Sequence, residues 1–220
     1  MRIEQCLSTM DRQLVSVVRM LAAVPGKVDL ALATALTSHR PEAVSKALEH
    51  FVAHGLATAG AKGWAVNKNV RLHLLSDGAL APAELARWRR EVGCALMSRK
   101  RFRAARGVLS ASAYVFRRLG EALEEARSEV ERARAHLLTN DPKAARIALN
   151  AAQVPIAVLG ALEVQARWAD ISADLAALEG DSVAESEFLA LAQGLYEAAG
   201  DPRAGRLRTT PVAAEFVGEE

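Results

Sequence analysis

The chain has 220 residues, of which 51 % are apolar, 25 % charged and only 5 % aromatic. That balance excludes a disordered polar chain and fits one elongated domain, or two small ones, built from closely packed helices. The formal net charge of +2 conceals an asymmetry: residues 1–120 hold 19 Lys/Arg against 8 Asp/Glu, and residues 121–220 hold 9 against 18, so the basic part predicts a polyanionic or acidic partner.

Taken in order, Asp11 stands where it can cap a first helix through Leu14, Val17, Val18 and Leu21, which Pro25-Gly26 ends. A second short helix follows from Asp29, with Leu30, Ala33 and Leu36 on one side. Thr37-Ser38-His39-Arg40 makes a turn, and Pro41 opens a third helix with Val44, Ala47, Leu48 and Phe51 at helical spacing, stopping at Gly55. Leu56-Ala57-Thr58 and Trp64-Ala65-Val66 then flank Ala59-Gly60-Ala61-Lys62-Gly63 and read as two short strands around a hairpin loop. Helix, helix, turn, helix, hairpin is the order of a winged helix-turn-helix, expected over residues 1–76.

From residue 77 to 205 the pattern changes to a repeat. Gly120, Gly160 and Gly200 stand forty residues apart, and Gly93/Ala133/Ala173, Ala104/Ala144/Ala184, Leu109/Leu149/Leu189 and Ser112/Ala152/Ala192 recur in the same phase. Each copy reads as a helical hairpin whose first helix ends near Ser98, Asn140 or Gly180; Asp141 and Pro142 suit the cap and first position of the helix that follows Asn140. Such a unit cannot bury its apolar stripe alone, so the period predicts a three-repeat solenoid over 82–120, 121–160 and 161–200. Residues 206–220 read as a flexible tail. The expected fold class is mainly α.

The small-residue and leucine spacing resembles tetratricopeptide repeats, most closely at Ala133, Ala145, Leu149 and Ala152, although the unit is longer than the usual ~34 residues and Glu185 replaces a typical alanine. The earlier segment, through Pro25-Gly26, Asp29-Leu30, the run Ala47-Leu48-Glu49-His50-Phe51-Val52-Ala53-His54-Gly55-Leu56 and Arg71-Leu72-His73-Leu74-Leu75, is similar to the winged helix of bacterial STAND-type ATPases and MalT-like activators, in which helical repeats follow directly. The chain contains no GxxxxGK[ST] phosphate loop, so the resemblance implies the regulator's C-terminal part without its ATPase, and no enzyme.

If the winged helix reads double-stranded DNA, the third helix enters the major groove with Ser45, Lys46 and Glu49 outward and Ser38 and Arg40 at its leading turn. Lys62 and Lys68 on or beside the wing would hold the flanking backbone, and Arg99, Lys100, Arg101 and Arg103 would add phosphate contacts. Glu42 and Glu49 oppose a polyanion, and the alternative is a non-enzymatic adaptor whose winged helix and basic hairpin dock on protein. In the repeats, Glu129, Arg132, Asp170 and Asp174 are candidates to line the accessible side and take a peptide, a protein or a second copy of the chain.

Other chemistry is thin. His50 and His54 stand four apart on one helix, a metal-binding spacing, but the sequence offers no third ligand, and neither a metal nor another cofactor is expected. His136 reads as a packing residue, and Asp170 with Asp174 lacks a matched acid, base and nucleophile. Cys6 and Cys94 form no disulfide framework, which suits a reducing cytoplasm. The apolar run from Leu14 is broken by Arg19, and the uncharged stretch 147–162 contains Pro155 and falls short of the ~20 residues of a membrane span.

Overall fold

The structure, a computed structural model, describes residues 3–10, 12–37, 39–76 and 81–205. The expected cap at Asp11, the turn residue Ser38 and the tail at 206–220 lie outside the described residues. The protein is mainly helical, with one small sheet, and it divides into two compact units between Arg99 and Lys100.

In the first unit, α1 (Ile3–Ser8) precedes α2 (Arg12–Ala22), α3 (Leu30–Thr37) and α4 (Pro41–Ala53). The apolar residues at helical spacing meet in one core: Val17, Val18 and Leu21 from α2, Leu32, Ala33 and Leu36 from α3, and Val44, Ala47, Leu48 and Phe51 from α4 are all buried. Asp29 caps α3 by accepting the Leu32 N–H at 2.7 Å. Pro41 occupies the first turn of α4, where its missing N–H costs nothing. Gly55 ends that helix with φ of 69°, and the Leu56 N–H returns to the Phe51 carbonyl at 2.8 Å.

Strands β1 (Ala57–Gly60) and β2 (Gly63–Val66) pair antiparallel, with Ala57 opposite Val66 and Gly60 opposite Gly63. Val28 extends the sheet by exchanging hydrogen bonds with Trp64 at 2.7 and 2.9 Å. Gly63 is required there: φ is 104°, and a Cβ would lie 2.3 Å from the Val28 carbonyl oxygen. Two helices complete the unit. In α5 (Lys68–Ser76), Val70 and Leu74 are buried and Arg71 donates to the Ala22 carbonyl at 3.0 Å. α6 (Pro82–Ser98) packs against α3 and buries Ala86, Trp88, Val92, Leu96 and Met97.

The second unit holds α7 (Phe102–Leu119), α8 (Ala122–Leu137), α9 (Pro142–Leu159), α10 (Leu162–Glu179), α11 (Ser182–Ala198) and a 3-10 turn at Pro202–Gly205. Each helix packs against the next in the chain. Ala126, Val130, Ala133 and Leu137 of α8 form one core with Ala145, Ala148, Leu149, Ala152 and Ile156 of α9 and Val164, Ile171 and Leu175 of α10. The alanines at 0–2 % exposure hold the helices close, because a larger side chain would separate them. Asp141 and Asp181 cap α9 and α11 through the Ala144 and Ala184 N–H groups.

The forty-residue phase reappears in the backbone. Gly120, Gly160 and Gly200 have φ of 72°, 64° and 67°, and the alternate helix ends Lys100, Asn140 and Gly180 have 56°, 55° and 76°. A left-handed residue at each stop releases the chain after the last helical turn, which is the role the glycine spacing predicts. The first predicted pair, 82–120, is divided by the boundary after Arg99, so α6 is described with the first unit rather than with the repeats.

Candidate nucleic-acid interface and the charged interior of the repeats

The same spacing that buries Val44, Ala47, Leu48 and Phe51 turns the other residues of α4 outward. Arg40, Glu42, Lys46, Glu49 and Ala53 are exposed and Ser45 is half-buried. Arg40 is extended (φ −63°, ψ 143°) at the entry to the helix. Ser45 donates its hydroxyl to Glu49 at 2.7 Å, so these two candidate base-reading groups engage each other. Their outer face is mixed in sign, two cations against two carboxylates.

Lys62, at the hairpin tip, and Lys68, at the start of α5, are exposed. The hairpin gains a cation the sequence reading did not name. Lys27 is exposed and places Nζ 3.4 Å from the point where a Cβ on Gly60 would lie, because the Val28–Trp64 pairing brings its chain segment to the strand. Strand pairing between Val28 and Trp64 has no local sequence signature, so the residues around Lys27 do not mark it as a neighbour of the hairpin.

Among the hairpin arginines, Arg99 pairs with Asp29 at 2.9 Å at the start of α3. Lys100, Arg101 and Arg103 belong to the second unit; Lys100 and Arg103 are exposed and Arg101 is half-buried. In the first unit, Arg71 and Arg89 are drawn inward, and burial lowers the pKa of each guanidinium below its ordinary value.

In the second unit Glu129, expected on an accessible side, is buried instead, while Arg132, Asp170 and Asp174 are half-buried. Glu129 is 1 % exposed and its carboxylate meets Arg117 at 3.1 Å and Arg132 at 2.6 Å. Burial pushes its carboxyl above the usual carboxylate value, against the pull of Arg132 and Arg117. Helix geometry explains this burial. Glu129 lies four residues before Ala133, so both project to the face that packs against the neighbouring helices. Asp170, three residues before Ala173, is half-buried and accepts from Arg167 at 3.2 Å. Arg132 and Asp174 are half-buried, neither standing free on an open groove.

Arg167 of α10 joins three helices. It donates to Glu131 of α8 at 3.1 Å and to Asp170, whose carboxylate also lies 3.4 Å from the Tyr196 hydroxyl of α11. Burial acts to lower its pKa, but Glu131 and then Tyr196 and Asp170 outweigh that and hold it raised. Burial, followed by the Asp170 charge, pushes the Tyr196 hydroxyl up to about 12. His136, half-buried and 3.3 Å from Asp141, has its pKa lowered by burial first and then by Arg106. This is consistent with a packing role.

One surface of the second unit is apolar and uncovered within it. Ile147, Val154 and Val158 of α9 are 66 %, 68 % and 77 % exposed and follow one another at spacings of seven and four, a single helical stripe that half-buried Ala151 completes. Among the described residues no helix is long and apolar enough to cross a membrane. Comparison with family models, with curated proteins and with solved structures finds no match to this chain.

Proposed function

We propose that the protein is a DNA-binding transcriptional regulator: a winged helix-turn-helix in the first unit docks on duplex DNA, and the tetratricopeptide-like helices of the second unit take a protein partner or a second copy. The observation that carries this reading is α4 itself. Its inner face is fully engaged in the core, while its leading end offers Arg40 and its outer face Lys46, both exposed and both suited to phosphate or guanine. Lys27 and Lys62 on the hairpin supply backbone contacts of the kind a wing makes. No ATPase, cofactor or catalytic step enters the mechanism. The repeats act by binding, and a partner that favours one arrangement of the chain changes its DNA affinity by that preference.

A protein-docking adaptor is the second reading, favoured by Glu42, by the Ser45–Glu49 hydrogen bond and by the apolar stripe on α9. Anisotropy titration of the purified protein on genomic duplex fragments at two salt concentrations separates the two. The regulator binds a subset of fragments more tightly than the non-specific range of about 10⁻⁴ to 10⁻⁶ M at physiological salt, and the adaptor binds none.

A further inference from the structure

The pair His50 and His54 lacks a third ligand in the sequence, and the fold brings one. One ligand atom from each of Cys6, His50 and His54 lies within 4.8 Å of the other two. Cys6 comes from α1, 44 positions before His50, and is 1 % exposed with a free thiol. The imidazoles meet at the end of α4 with centroids 4.1 Å apart and planes inclined by 38°.

Two hydrogen-bonding facts define which nitrogens are available. His54 Nδ1 lies 2.8 Å from the His50 carbonyl oxygen; donating there fixes the tautomer and leaves Nε2 with its lone pair. A backbone carbonyl holding the far side of the ring is the usual support of a metal-binding histidine. His50 Nε2 is buried and has no hydrogen-bond partner.

We propose that Cys6 Sγ and the free ring nitrogens of His50 and His54 bind one Zn²⁺ ion, with a fourth tetrahedral position open to water. The donor set is one thiolate and two imidazoles, which suits a borderline-soft ion and not magnesium or calcium. Bonds of about 2.0–2.3 Å place tetrahedral ligands about 3.5 Å apart, so binding draws the three side chains together from their separation of up to 4.8 Å. On binding, the Cys6 thiol gives its proton to solvent as the sulfur–zinc bond forms, and both histidines bind neutral. The ion would tie α1 to the last turn of α4. This site stands independently of whether α4 contacts DNA.

Cobalt(II) is the probe, added to reduced, metal-free full-length protein and then displaced with Zn²⁺. The expected result is one ion per chain, a thiolate-to-cobalt charge-transfer band, tetrahedral d–d bands, and loss of all of them on zinc addition. Cys6→Ser abolishes the charge-transfer band while Cys94→Ser retains it. His54→Gln, at a half-buried position, weakens binding by more than the roughly 10–100-fold that loss of a supporting hydrogen bond costs. Should Cys6→Ser fold poorly, wild-type protein decides: zinc protects Cys6 from alkylation, read by peptide mass mapping. Absence of the bands, their survival in Cys6→Ser, failure of zinc to displace cobalt, or equal alkylation of Cys6 with and without zinc overturns the site.

Discussion

Trp88 donates its indole N–H to the Met20 carbonyl at 2.9 Å, tying α6 to α2. Two repeat lengths later Trp168 does the same to Leu149 at 3.0 Å, joining α10 to α9. In both cases the tryptophan fastens its helix to a backbone carbonyl of an earlier helix, and for α6 that helix lies in the first unit. A fragment of residues 1–99 is therefore expected to unfold cooperatively, and one ending at residue 76 is not. Within the full chain, Trp88→Phe removes one hydrogen bond and costs about 1 kcal/mol, while Trp88→Ala costs about 3–5 kcal/mol. Denaturant titration followed by circular dichroism checks both.

The buried arginine of α10 gives a second test. Arg167 and Glu131 are mostly enclosed, at 17 % and 18 % side-chain exposure. Arg167→Met leaves Glu131 and Asp170 without their shared cation and is expected to cost about 3–5 kcal/mol. Glu131→Gln keeps Asp170 beside the guanidinium and costs less. If the two variants unfold at the same denaturant midpoint, Arg167 is not the junction of α8, α10 and α11 that its contacts describe.

Helix stops differ in what their residues tolerate. Nothing lies within 4 Å of a Cβ built on Gly120 or Gly160, so only the left-handed backbone opposes a side chain there. Gly160→Ala is expected to cost about 1 kcal/mol. Lys100 adopts φ of 56° despite its side chain, and Lys100→Gly should be neutral or stabilise by up to about 1 kcal/mol. Gly63→Ala is a separate case, since its Cβ would meet the Val28 carbonyl; it should uncouple the hairpin and show as lost amide protection at Val28 and Trp64.

Near the end of the second unit, Asp201 accepts from the Arg203 side chain and backbone N–H, and these bonds hold its carboxyl at about 2. An unfolded aspartate titrates near 3.9. The folded form is thus the stronger acid, so the contact's stabilisation is complete above about pH 4 and is lost as the pH falls through about 2. Arg203 also sits over the Tyr196 ring, 4.7 Å from its centroid. The Tyr196 ring resonances should shift as pH falls through that window, and Asp201→Asn should remove the transition.

Most helix positions were legible because the punctuation is local: Gly120, Gly160, Gly180 and Gly200 stop helices, Asp141 and Asp181 start them, and the apolar spacing between fixes the buried face. What escaped was non-local. Nothing in the sequence around Cys6 announces His50, and nothing around Val28 announces Trp64. Glu129 is different, because its distance from Ala133 contained the answer. A residue four before a buried alanine shares its helix face, so the carboxylate is carried into the interior although its charge alone would place it in solvent.

The outer face of α4 supplies the test that distinguishes a DNA reader from a docking block. Arg40 is exposed at the helix entry, whereas Glu49 is exposed further along and holds the Ser45 hydroxyl. If this face meets a duplex, Arg40→Ala removes one phosphate-directed cation and should lower the slope of log affinity against log salt by about 0.9. Glu49→Gln removes a repelling carboxylate and should tighten every duplex severalfold, while Lys46→Ala should change the ranking among fragments, because a residue on base edges discriminates and one on phosphate does not. A protein-docking α4 predicts three flat results in the same titrations, with the losses appearing instead in binding to a partner protein.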